Sequence, residues 1–495
     1  MNSVKRLSRR TLLGGMTATG VGLMSPVASG VAKRSRPFIC DVAIVGAGLA
    51  GLNAALTLAA EGLKVVVLEG SARVGGRVHT ARDWHAAPDL GGVQIGPMYA
   101  RVRDVARRLK IELAPGAHVN APYSFVLGDS LIAAKQWQAS PLNKLTGQER
   151  RIPPHALNSF YVEQRTPFSD MDDWLKPEAA QYDLSLGAWL RNKGASGEAQ
   201  RLIRTTQGLA SLETASVLRM LQEGTRSRAD VKALVPTDET RGMDVFQRFA
   251  LASSHATGGT SAIPEAMMAA LGDAVRLNHV VRAIRQDRRG CDLVCDNNAR
   301  LRARFVVAAA PFGALRDIRM TPDWPAVQGE AVRQMPYHNQ SQVWLRVRKP
   351  YWEQDGIEAS MWTDGVLTLV RQQIEPDGRR ELVSCLSFND GARELDAMTH
   401  VDRGRFAIES LEKVRPSMRG QLEFVGAHSW LQVPLVRGCS HQFQPGRAFD
   451  WTHEYIKPHG LVHIAGEHAR RLEVGMEAAM ESGERCALEI LQRLS

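Results

Sequence analysis

Apolar runs near the start of the chain predict a strand, a helix and a second strand. Residues 41–45 are almost entirely apolar and predict a buried strand, and the Ala/Leu-rich stretch after Gly51 predicts a helix. Residues 64–68 form a second apolar run that ends at Glu69. This order is the beginning of a βαβ unit, which predicts an α/β fold with a parallel sheet covered by helices.

The middle of the chain contains two regions with different patterns. Residues 120–250 lack strand alternation and predict helices and loops. Residues 331–420 contain apolar runs typical of strands, among them 342–347 and 382–388. Together the two regions predict an α+β insertion in the α/β protein.

Three glycines follow the first strand at a spacing that suits a dinucleotide. Gly46 allows a tight turn, Gly48 lets the backbone approach a pyrophosphate, and Gly51 lets the helix pack on the strand. Ala47 lies in the same turn, and the N–H groups and dipole of the helix favour an anion there. Glu69 comes 18 residues after Gly51. A carboxylate at that place accepts both ribose hydroxyls of an adenosine and repels a 2′-phosphate.

Composition and charge narrow the class of protein. The chain has 495 residues, 44% of them hydrophobic, which is enough for two or three domains. The formal net charge is +10, but four basic residues lie within the first ten positions and no dense Lys/Arg block follows. We therefore expect no nucleic-acid binding.

The first 32 residues have the layout of an export signal. Arg9 and Arg10 precede a Gly/Ala/Thr/Val stretch without charge up to Lys33, which is the twin-arginine pattern. Cleavage after Ala28 or Ala32 would release the protein into the periplasm or another exported compartment. An uncleaved anchor is the alternative, although a stretch so rich in Gly and Thr makes a poor spanning helix. No later stretch approaches 18 uninterrupted apolar residues, so we expect no stable membrane insertion after signal removal.

Cysteine spacing gives no metal site. Cys291 and Cys295 form the only close pair among six cysteines, and they lie in an alternating segment without histidine partners. We interpret that segment as an ordinary strand and leave disulfides open.

Two further glycine motifs decide which dinucleotide is expected. Arg73-Val-Gly-Gly-Arg77 follows Glu69, and Gly91-Gly-Val-Gln-Ile95 comes soon after it. These motifs resemble those of the flavin amine oxidase family, which includes monoamine, polyamine and L-amino-acid oxidases. The resemblance implies an extended FAD, with Arg77 on the phosphates and the segment 91–95 along the isoalloxazine ring. The cofactor contacts expected from the two motifs are Arg73, Gly75, Gly76, Arg77, Gly92, Val93, Gln94 and Ile95.

Two later segments continue this resemblance. After the Gly258-Gly-Thr motif, residues 277–284 predict a strand in which Val281 would make a backbone contact with adenine. The apolar run from Phe305 resembles the family's strand that ends in proline, here Pro311. Both segments are therefore expected to return the chain to the FAD-binding domain.

The match is most extensive near the C-terminus. A strand reaches Gly466, and the resemblance implies that Glu467 accepts a ribityl hydroxyl. A helix is expected to begin near Met476, just after Gly475, with its N-terminus toward the flavin. Positive charge there would stabilise the negative charge that a flavin gains on reduction.

These segments predict a Rossmann-like FAD-binding domain interrupted by an α+β substrate domain, with the sheet forming a wall of the site and the helices covering it. The predicted parts are a signal peptide at 1–32, FAD-binding segments at 38–119, 251–330 and 421–495, a helical substrate segment at 120–250 and a sheet segment at 331–420.

The resemblance implies oxidation of the C–N bond of a small-molecule amine. The flavin takes a hydride equivalent at N5 from the carbon next to a neutral amine nitrogen, and the imine product hydrolyses. No catalytic triad or metal constellation is needed, and none is evident in the sequence.

One position near the flavin departs from many family members. They carry a lysine ten residues before the tryptophan of a Pro-aromatic-Trp segment, and here Gln342 stands ten residues before Trp352. An amide can hold a water but offers no charge to stabilise superoxide. We expect oxygen to be a slow acceptor and a cytochrome or quinone to be an alternative one.

Other departures concern the substrate pocket and the flavin linkage. Ser440 and Gly475 stand where monoamine oxidases have two aromatic rings facing the flavin, which predicts a wider pocket. Cys439 lies nine residues after Trp430, the spacing of the cysteine that bonds to flavin in monoamine oxidases. The neighbouring tyrosine is absent, so we expect non-covalent FAD, with a bond to Cys439 as the alternative.

Three further side chains are candidates for roles at the ring. Trp430 is expected to pack near it, with a plain core tryptophan as the alternative. His441 and His468 are acid/base candidates, although such histidines often satisfy only local hydrogen bonds. The substrate-carboxylate arginine of snake-venom-type L-amino-acid oxidases has no counterpart in the segment 93–95, which leaves amino acids neither excluded nor favoured.

Two other functions remain open at the level of sequence. One is dehydrogenation of a C–C bond, as in protoporphyrinogen oxidase and carotenoid desaturases, which share the FAD segments. The other is a binding or accessory subunit that has lost turnover. A homodimer is compatible with the sequence.

Overall fold

Two sheets organise the chain, and each combines strands from distant parts of the sequence. The computed structural model describes residues 39–115, 122–242, 245–374 and 379–495, so the predicted export signal lies outside the described residues. The strands, in chain order, are β1 (Cys40–Val45), β2 (Val65–Leu68), β3 (His79–Thr80), β4 (Asp89–Gly91), β5 (Leu113–Pro115), β6 (Tyr123–Leu127), β7 (Ser130–Ile132), β8 (Ser254–Ala256), β9 (Val275–Arg276), β10 (Val281–Gln286), β11 (Cys291–Cys295), β12 (Arg300–Ala308), β13 (Arg319–Thr321), β14 (Tyr337–His338), β15 (Gln340–Val347), β16 (Ser360–Thr363), β17 (Leu369–Gln372), β18 (Leu382–Phe388), β19 (Leu422–Ser429), β20 (Ser440–His441) and β21 (Val462–Ile464). The α-helices are α1 (Leu49–Ala60), α2 (Ala100–Arg108), α3 (Leu157–Tyr161), α4 (Leu186–Asn192), α5 (Gly197–Thr206), α6 (Leu218–Ala233), α7 (Val245–Ala252), α8 (Ala262–Leu271), α9 (Phe312–Leu315), α10 (Ala326–Gln334), α11 (Tyr351–Asp355), α12 (Asn389–Asp396), α13 (His400–Val414), α14 (Ala448–Tyr455) and α15 (Gly475–Leu494).

The first sheet is built around β1. Its strand order is β13-β10-β11-β12-β1-β2-β9, with β21 beside β12. Strand β1 pairs in parallel with both neighbours, so that Val42 lies opposite Phe305 on one side and Val65 on the other. Almost every residue of β1 and β2 is buried, as in a parallel sheet with both faces covered. The predicted Rossmann-like α/β architecture is thereby confirmed.

Helices α1 and α15 lie against each other beside this sheet. Gly483 makes the close approach possible, because a Cβ at that position would lie 2.1 Å from the carbonyl oxygen of Ala50. Nδ2 of Asn53 also donates to the carbonyl of Met480 at 2.8 Å. The last helix of the chain is thus fixed beside the helix that follows the glycine turn.

The second sheet separates a core from a cavity. Its strand order is β19-β15-β18-β17-β16-β6-β7. On β15, Val343 and Leu345 point into a hydrophobic core that also contains Leu395 of α12. The alternate residues Gln342 and Trp344 line the cavity on the opposite face, as the two-residue period of a strand requires.

The strand content differs from the prediction at three places. Strands β6 and β7 lie within 120–250, and β19 lies beyond 420, yet all three belong to the second sheet. Strand β6 pairs in parallel with β16, more than 230 residues away, a contact that no local pattern reveals. Residues 277–280 are not strand, because Asn278 has φ +58° and the chain turns there.

None of the helices in the described residues has the length and apolar composition needed to cross a membrane. Cys291 and Cys295 lie on β11, as predicted, and both are free thiols.

Candidate active site

A cavity of about 730 Å³ extends from the carboxyl ends of the first sheet's parallel strands to the inner face of the second sheet. This is the edge at which open α/β sheets bind ligands, and the volume suits a bound organic molecule. The predicted site residues that line it are Gly46, Gly48, Glu69, Arg73, Gly75, Gly76, Arg77, Gly92, Val93, Gln94, Val281, Gln342, Trp430, Cys439, Ser440, Gly466, Glu467, Gly475 and Met476. Ala47, Gly51, Ile95 and His441 lie behind this surface.

The glycine turn after β1 has the geometry that its sequence predicts. Gly46 has φ +105°, which favours glycine. At Gly51 a Cβ would lie only 2.0 Å from the carbonyl oxygen of Gly46, so only glycine lets the first turn of α1 lie against the glycine turn. At Gly48, the N-cap of α1, a Cβ would meet no atom of the described residues within 4 Å, and none of their side chains caps the helix. The first turn of α1 therefore presents its N–H groups to open space in the cavity.

Glu69 lies beside this turn at the end of β2. Its Oε2 accepts a hydrogen bond from the backbone N–H of Ala47 at 2.7 Å, and its Oε1 accepts from the N–H and hydroxyl of Ser71 at 2.8 Å. These bonds fix the carboxylate at the cavity wall. Each carboxylate oxygen has a second lone pair, so the group retains the capacity to accept from ribose hydroxyls.

Arg73 organises the loop that covers the turn. Its guanidinium donates to the carbonyls of Val74, Gly76 and Val78 at 2.8–3.2 Å. The loop is tied to the glycine turn by a hydrogen bond from the N–H of Gly75 to the carbonyl of Ala47 at 2.8 Å. Arg73 thus lines the cavity, but its guanidinium N–H groups are used in hydrogen bonds that hold the loop backbone in place.

A buried charge network lies around Glu467. Oε2 of Glu467 is 3.3 Å from Nη1 of Arg77 and 3.1 Å from Nδ1 of His441, and Arg470 lies 4.0 Å from the other oxygen. Burial alone would raise the pKa of Glu467, but His441, Arg77 and Arg470 together hold it well below its usual value. Glu467 is therefore an ionised acceptor on the cavity wall.

His441 reaches the cavity only through Glu467. Its side chain is fully buried, and burial lowers its pKa to about 4 even though Glu467 acts in the opposite direction. A neutral ring that donates to Glu467 carries its proton on Nδ1. The sequence-based candidate for acid/base chemistry is thus a positioning residue for Glu467 in this structure.

The predicted adenosine end of the cavity forms where the chain turns before β10. The N–H of His279 donates to the carbonyl of Glu69 at 2.8 Å, which holds this turn against the end of β2. Val281 is buried and lines the cavity there. The predicted adenine contact therefore lies beside the predicted ribose contact.

Trp430 and the segment 91–95 meet at the opposite end. A Cβ at Gly91 would lie 2.8 Å from the Trp430 ring, so glycine permits their contact. Nε1 of Trp430 donates to the carbonyl of Leu90 at 3.3 Å. Ile95 is buried and pairs through its backbone with Ser254, so it anchors the segment from behind.

The amide of Gln342 is held in one orientation. Its Nε2 donates to the carbonyl of Leu90 at 2.8 Å and to Oε1 of Gln340 at 3.1 Å, and its Oε1 accepts from Nε1 of Trp344 at 3.0 Å. Gln342 is 4% exposed. The amide therefore presents no net charge and has little hydrogen-bonding capacity left for a water.

Gly475 and Ser440 both line the cavity, as predicted for the positions without aromatic rings. Gly475 begins α15 with φ +57°, and a Cβ there would lie 2.9 Å from the hydroxyl of Tyr99. The pocket is not free of aromatic residues, however, because Trp344 and Tyr123 line it from the second sheet.

Sequence reasoning missed these two residues and the polar side chains Gln340, Arg371 and Gln373 on the same wall. Trp344 could have been found, because it lies two residues after Gln342 on a predicted strand and shares its face. Gln340 begins the same strand, whereas Tyr123 lies on β6 and Arg371 and Gln373 lie on or just after β17, and no local pattern shows that these strands join the same sheet.

The lining fits the extended FAD that the motifs predict. The open space above Gly48 and the uncapped first turn of α1 suit a pyrophosphate. His468 lines the cavity, is fully buried, and has no hydrogen-bond partner at either ring nitrogen within the described part of the chain. A buried polar ring without a partner indicates a missing ligand atom. Glu69 at one end and Glu467 toward the other offer acceptors for ribose and ribityl hydroxyls.

Comparisons of sequence and fold agree with this geometry. The profile of the family described as flavin containing amine oxidoreductase matches residues 49–491. The chain is 26% identical over 475 residues to the flavin-containing amine oxidase B of Homo sapiens, covering 92% of this chain and 86% of that protein. It is 27% identical over 471 residues to an L-amino-acid oxidase of Siganus canaliculatus, covering 91% and 85%.

Solved structures of the same fold include two amine oxidases. Cyclohexylamine oxidase from Brevibacterium oxydans has a TM-score of 0.75 at 22% identity, covering 92% of this chain and 99% of that one. Putrescine oxidase bound to putrescine has a TM-score of 0.71 at 21% identity, covering 92% and 100%. Since the family profile spans most of the sequence, the chain belongs to the flavin-containing amine oxidoreductases and is an oxidoreductase.

Proposed function

We propose that this protein is an FAD-dependent enzyme that oxidises the C–N bond of an amine to an imine, which water then hydrolyses. One observation carries the proposal: a single cavity joins the adenosine end at Glu69 and Gly48 to a wall formed by Gln342 and Trp430. When bound, FAD supplies the electron sink for a hydride equivalent from the carbon next to nitrogen.

The chain's own residues orient and enclose the reactants. Trp430 and Trp344 are both nearly inaccessible to solvent and exclude water from the wall. His441 keeps Glu467 ionised and fixed, so that the carboxylate can accept a hydroxyl of the cofactor's sugar chain. No side chain has to act as a strong base, provided that the amine arrives neutral.

We propose that FAD is held without a covalent bond. Burial raises the pKa of Cys439 to about 11, so its thiol stays protonated and is a poor nucleophile. Its sulfur also donates to Oε1 of Gln340 at 3.6 Å. Acid precipitation is expected to release the flavin into the supernatant, whereas flavin that remains in the pellet would show a covalent bond.

Gln342 carries no charge, which supports an electron carrier, such as a cytochrome or quinone, as the better acceptor. The neutral amide of Gln342 cannot stabilise the negative charge that oxygen gains on reduction as a lysine would. Stopped-flow reoxidation with oxygen and with a quinone tests this, and hydrogen peroxide formed at the full turnover rate would refute it.

The N-terminal Arg9-Arg10 pattern supports export through the twin-arginine pathway. Fractionation of the producing cells is expected to recover flavin-loaded protein outside the cytoplasm. Recovery from the cytoplasm alone would refute the proposed location.

The central experiment is anaerobic mixing of the FAD-loaded protein with a panel of amines. Bleaching of the flavin absorbance band by an amine supports amine oxidation. Bleaching by porphyrinogens or polyenes alone would instead indicate C–C dehydrogenation, and no bleaching by any compound would indicate a binding subunit.

A further inference from the structure

One arginine on the cavity wall, Arg371, has no acidic partner among the described residues. Arg371 extends from β17 and lines the cavity. Among the described residues its guanidinium forms no ion pair, and its Nε is buried without a hydrogen-bond partner. A charged group that is partly desolvated and unpaired is costly, so its retention on a cavity wall indicates an anion supplied by a ligand.

The register of the second sheet places Arg371 in the substrate end of the cavity. Arg371 lies opposite Ser384 on β18, and Ser384 lies opposite Trp344 on β15. The indole of Trp344 in turn donates to Gln342. Arg371 is two strands away from β15, and Gln342 is two residues along β15 from Trp344. With the usual spacing between strands and rise along a strand, the Cα atoms of Arg371 and Gln342 are roughly 12 Å apart. A small molecule beside Gln342 is within reach of the long arginine side chain.

The rest of this wall is uncharged. Its other polar lining side chains are the neutral residues Gln340, Gln342, Gln373, Ser384 and Tyr123. The carboxylates that line the cavity elsewhere are already bound by protein donors, and they are Glu69, Asp89, Asp317 and Glu467. Among the described residues, this wall therefore has no free carboxylate that could pair with a second ammonium group of a diamine substrate. It has one free cation, Arg371, that could pair with an anion.

We propose that Arg371 binds a carboxylate of the substrate and that the enzyme oxidises amines that carry a carboxylate. This rests on the proposed amine oxidation at the same cavity. The guanidinium fork matches the two carboxylate oxygens, and the pair gains strength because the wall excludes water. Diamines of the same length are disfavoured, because their second ammonium would face Arg371.

The test compares amines with and without a carboxylate, which is placed either at the end remote from the reacting amine or on the carbon that bears it. Anaerobic flavin reduction is measured with 6-aminohexanoate, hexylamine and 1,6-diaminohexane, and with norleucine and pentylamine. The quantity compared is the rate of flavin reduction divided by the dissociation constant of the amine. In the unaltered holoenzyme, this ratio is expected to be about 10- to 100-fold higher for at least one carboxylate-bearing amine than for its carboxylate-free partner. A preference for the carboxylate-free amines or the diamine would overturn the proposal.

Variants identify the residue responsible. Arg371→Met is expected to bring the two members of each pair to within about threefold of each other, and Arg371→Lys is expected to keep part of the preference. Arg346→Met serves as the matched control, because Arg346 is exposed on the same sheet and pairs with Glu423 at 3.5 Å. If Arg371→Met weakened both members of a pair equally, Arg371 would be structural and the proposal would fail.

A binding measurement separates this proposal from amine oxidation itself. Benzoate is titrated into the oxidised holoenzyme and followed by the change in the flavin spectrum. A spectral change that Arg371→Met weakens at least tenfold supports the carboxylate site even if no amine reduces the flavin. Absence of any benzoate binding to the unaltered protein would overturn the site.

Discussion

The substitution Gly48→Ala isolates the cofactor cradle from the stability of the fold. Gly48 has φ −75° and ψ 175°, which alanine adopts readily, and an added Cβ meets no protein atom within 4 Å. Alanine is a poorer N-cap than glycine, which destabilises the fold, but it also reduces the conformational freedom of the unfolded chain, which stabilises the fold. Because the two effects offset each other, the melting temperature of the apoprotein is expected to change by no more than about 2 °C. The methyl group would nevertheless occupy the space above the first turn of α1.

Loss of one hydrogen bond from this turn to a phosphate is worth about 1.5–3 kcal/mol, so the FAD dissociation constant is expected to rise roughly 10- to 150-fold. Quenching of flavin fluorescence on titration into apoprotein measures it. Gly197→Ala is the matched control, since Gly197 begins α5 and also has no atom within 4 Å of an added Cβ. Gly51→Ala is expected to destabilise the apoprotein itself. A folded Gly48→Ala variant with unaltered FAD affinity would refute the cradle.

Two other predictions concern the flavin's acceptor and the response to pH. Gln342→Lys is expected to speed reoxidation of the reduced enzyme by oxygen at least about tenfold. A positive charge about 5 Å from the reduced oxygen, at an effective dielectric of about 20, contributes roughly 3 kcal/mol of stabilisation. An unchanged rate of reoxidation in stopped flow would contradict this. Burial lowers the pKa of His155, His338, His428 and His441 to about 4. Burial also lowers the pKa of His468, to about 3. The unfolded chain takes up protons on these rings below about pH 6.5, whereas the folded chain does not do so until about pH 4. The melting temperature is therefore expected to fall steadily from pH 6.5 to pH 4, and a constant value over that range would show that the rings are not buried as described.

Local signals in the sequence were sufficient for the parts of the site built from consecutive residues. The turn from Gly46 to Gly51 depends on neighbours a few residues apart, and its spacing alone specifies a strand, a tight turn and a helix N-terminus. The same holds for Glu69 at the end of β2 and for the start of α15 at Gly475. These residues line one cavity because parallel strands end at the same edge of the sheet.

The substrate wall was less predictable because it depends on pairing between distant strands. Arg371 shares a face with Gln342 only through the register of β17, β18 and β15. Likewise, Tyr123 reaches the wall because β6 pairs with β16, far along the chain. His441 follows Ser440 in sequence, but alternate residues of a strand point to opposite sides, so its side chain lies behind the cavity wall.

Titration of FAD into the folded apoprotein tests the central claim most directly. One FAD is expected to bind per chain and give a yellow protein, and ADP is expected to compete for the same site because the adenosine end at Glu69 is shaped independently of the substrate wall. A chain that is folded by circular dichroism but binds no FAD would contradict the account.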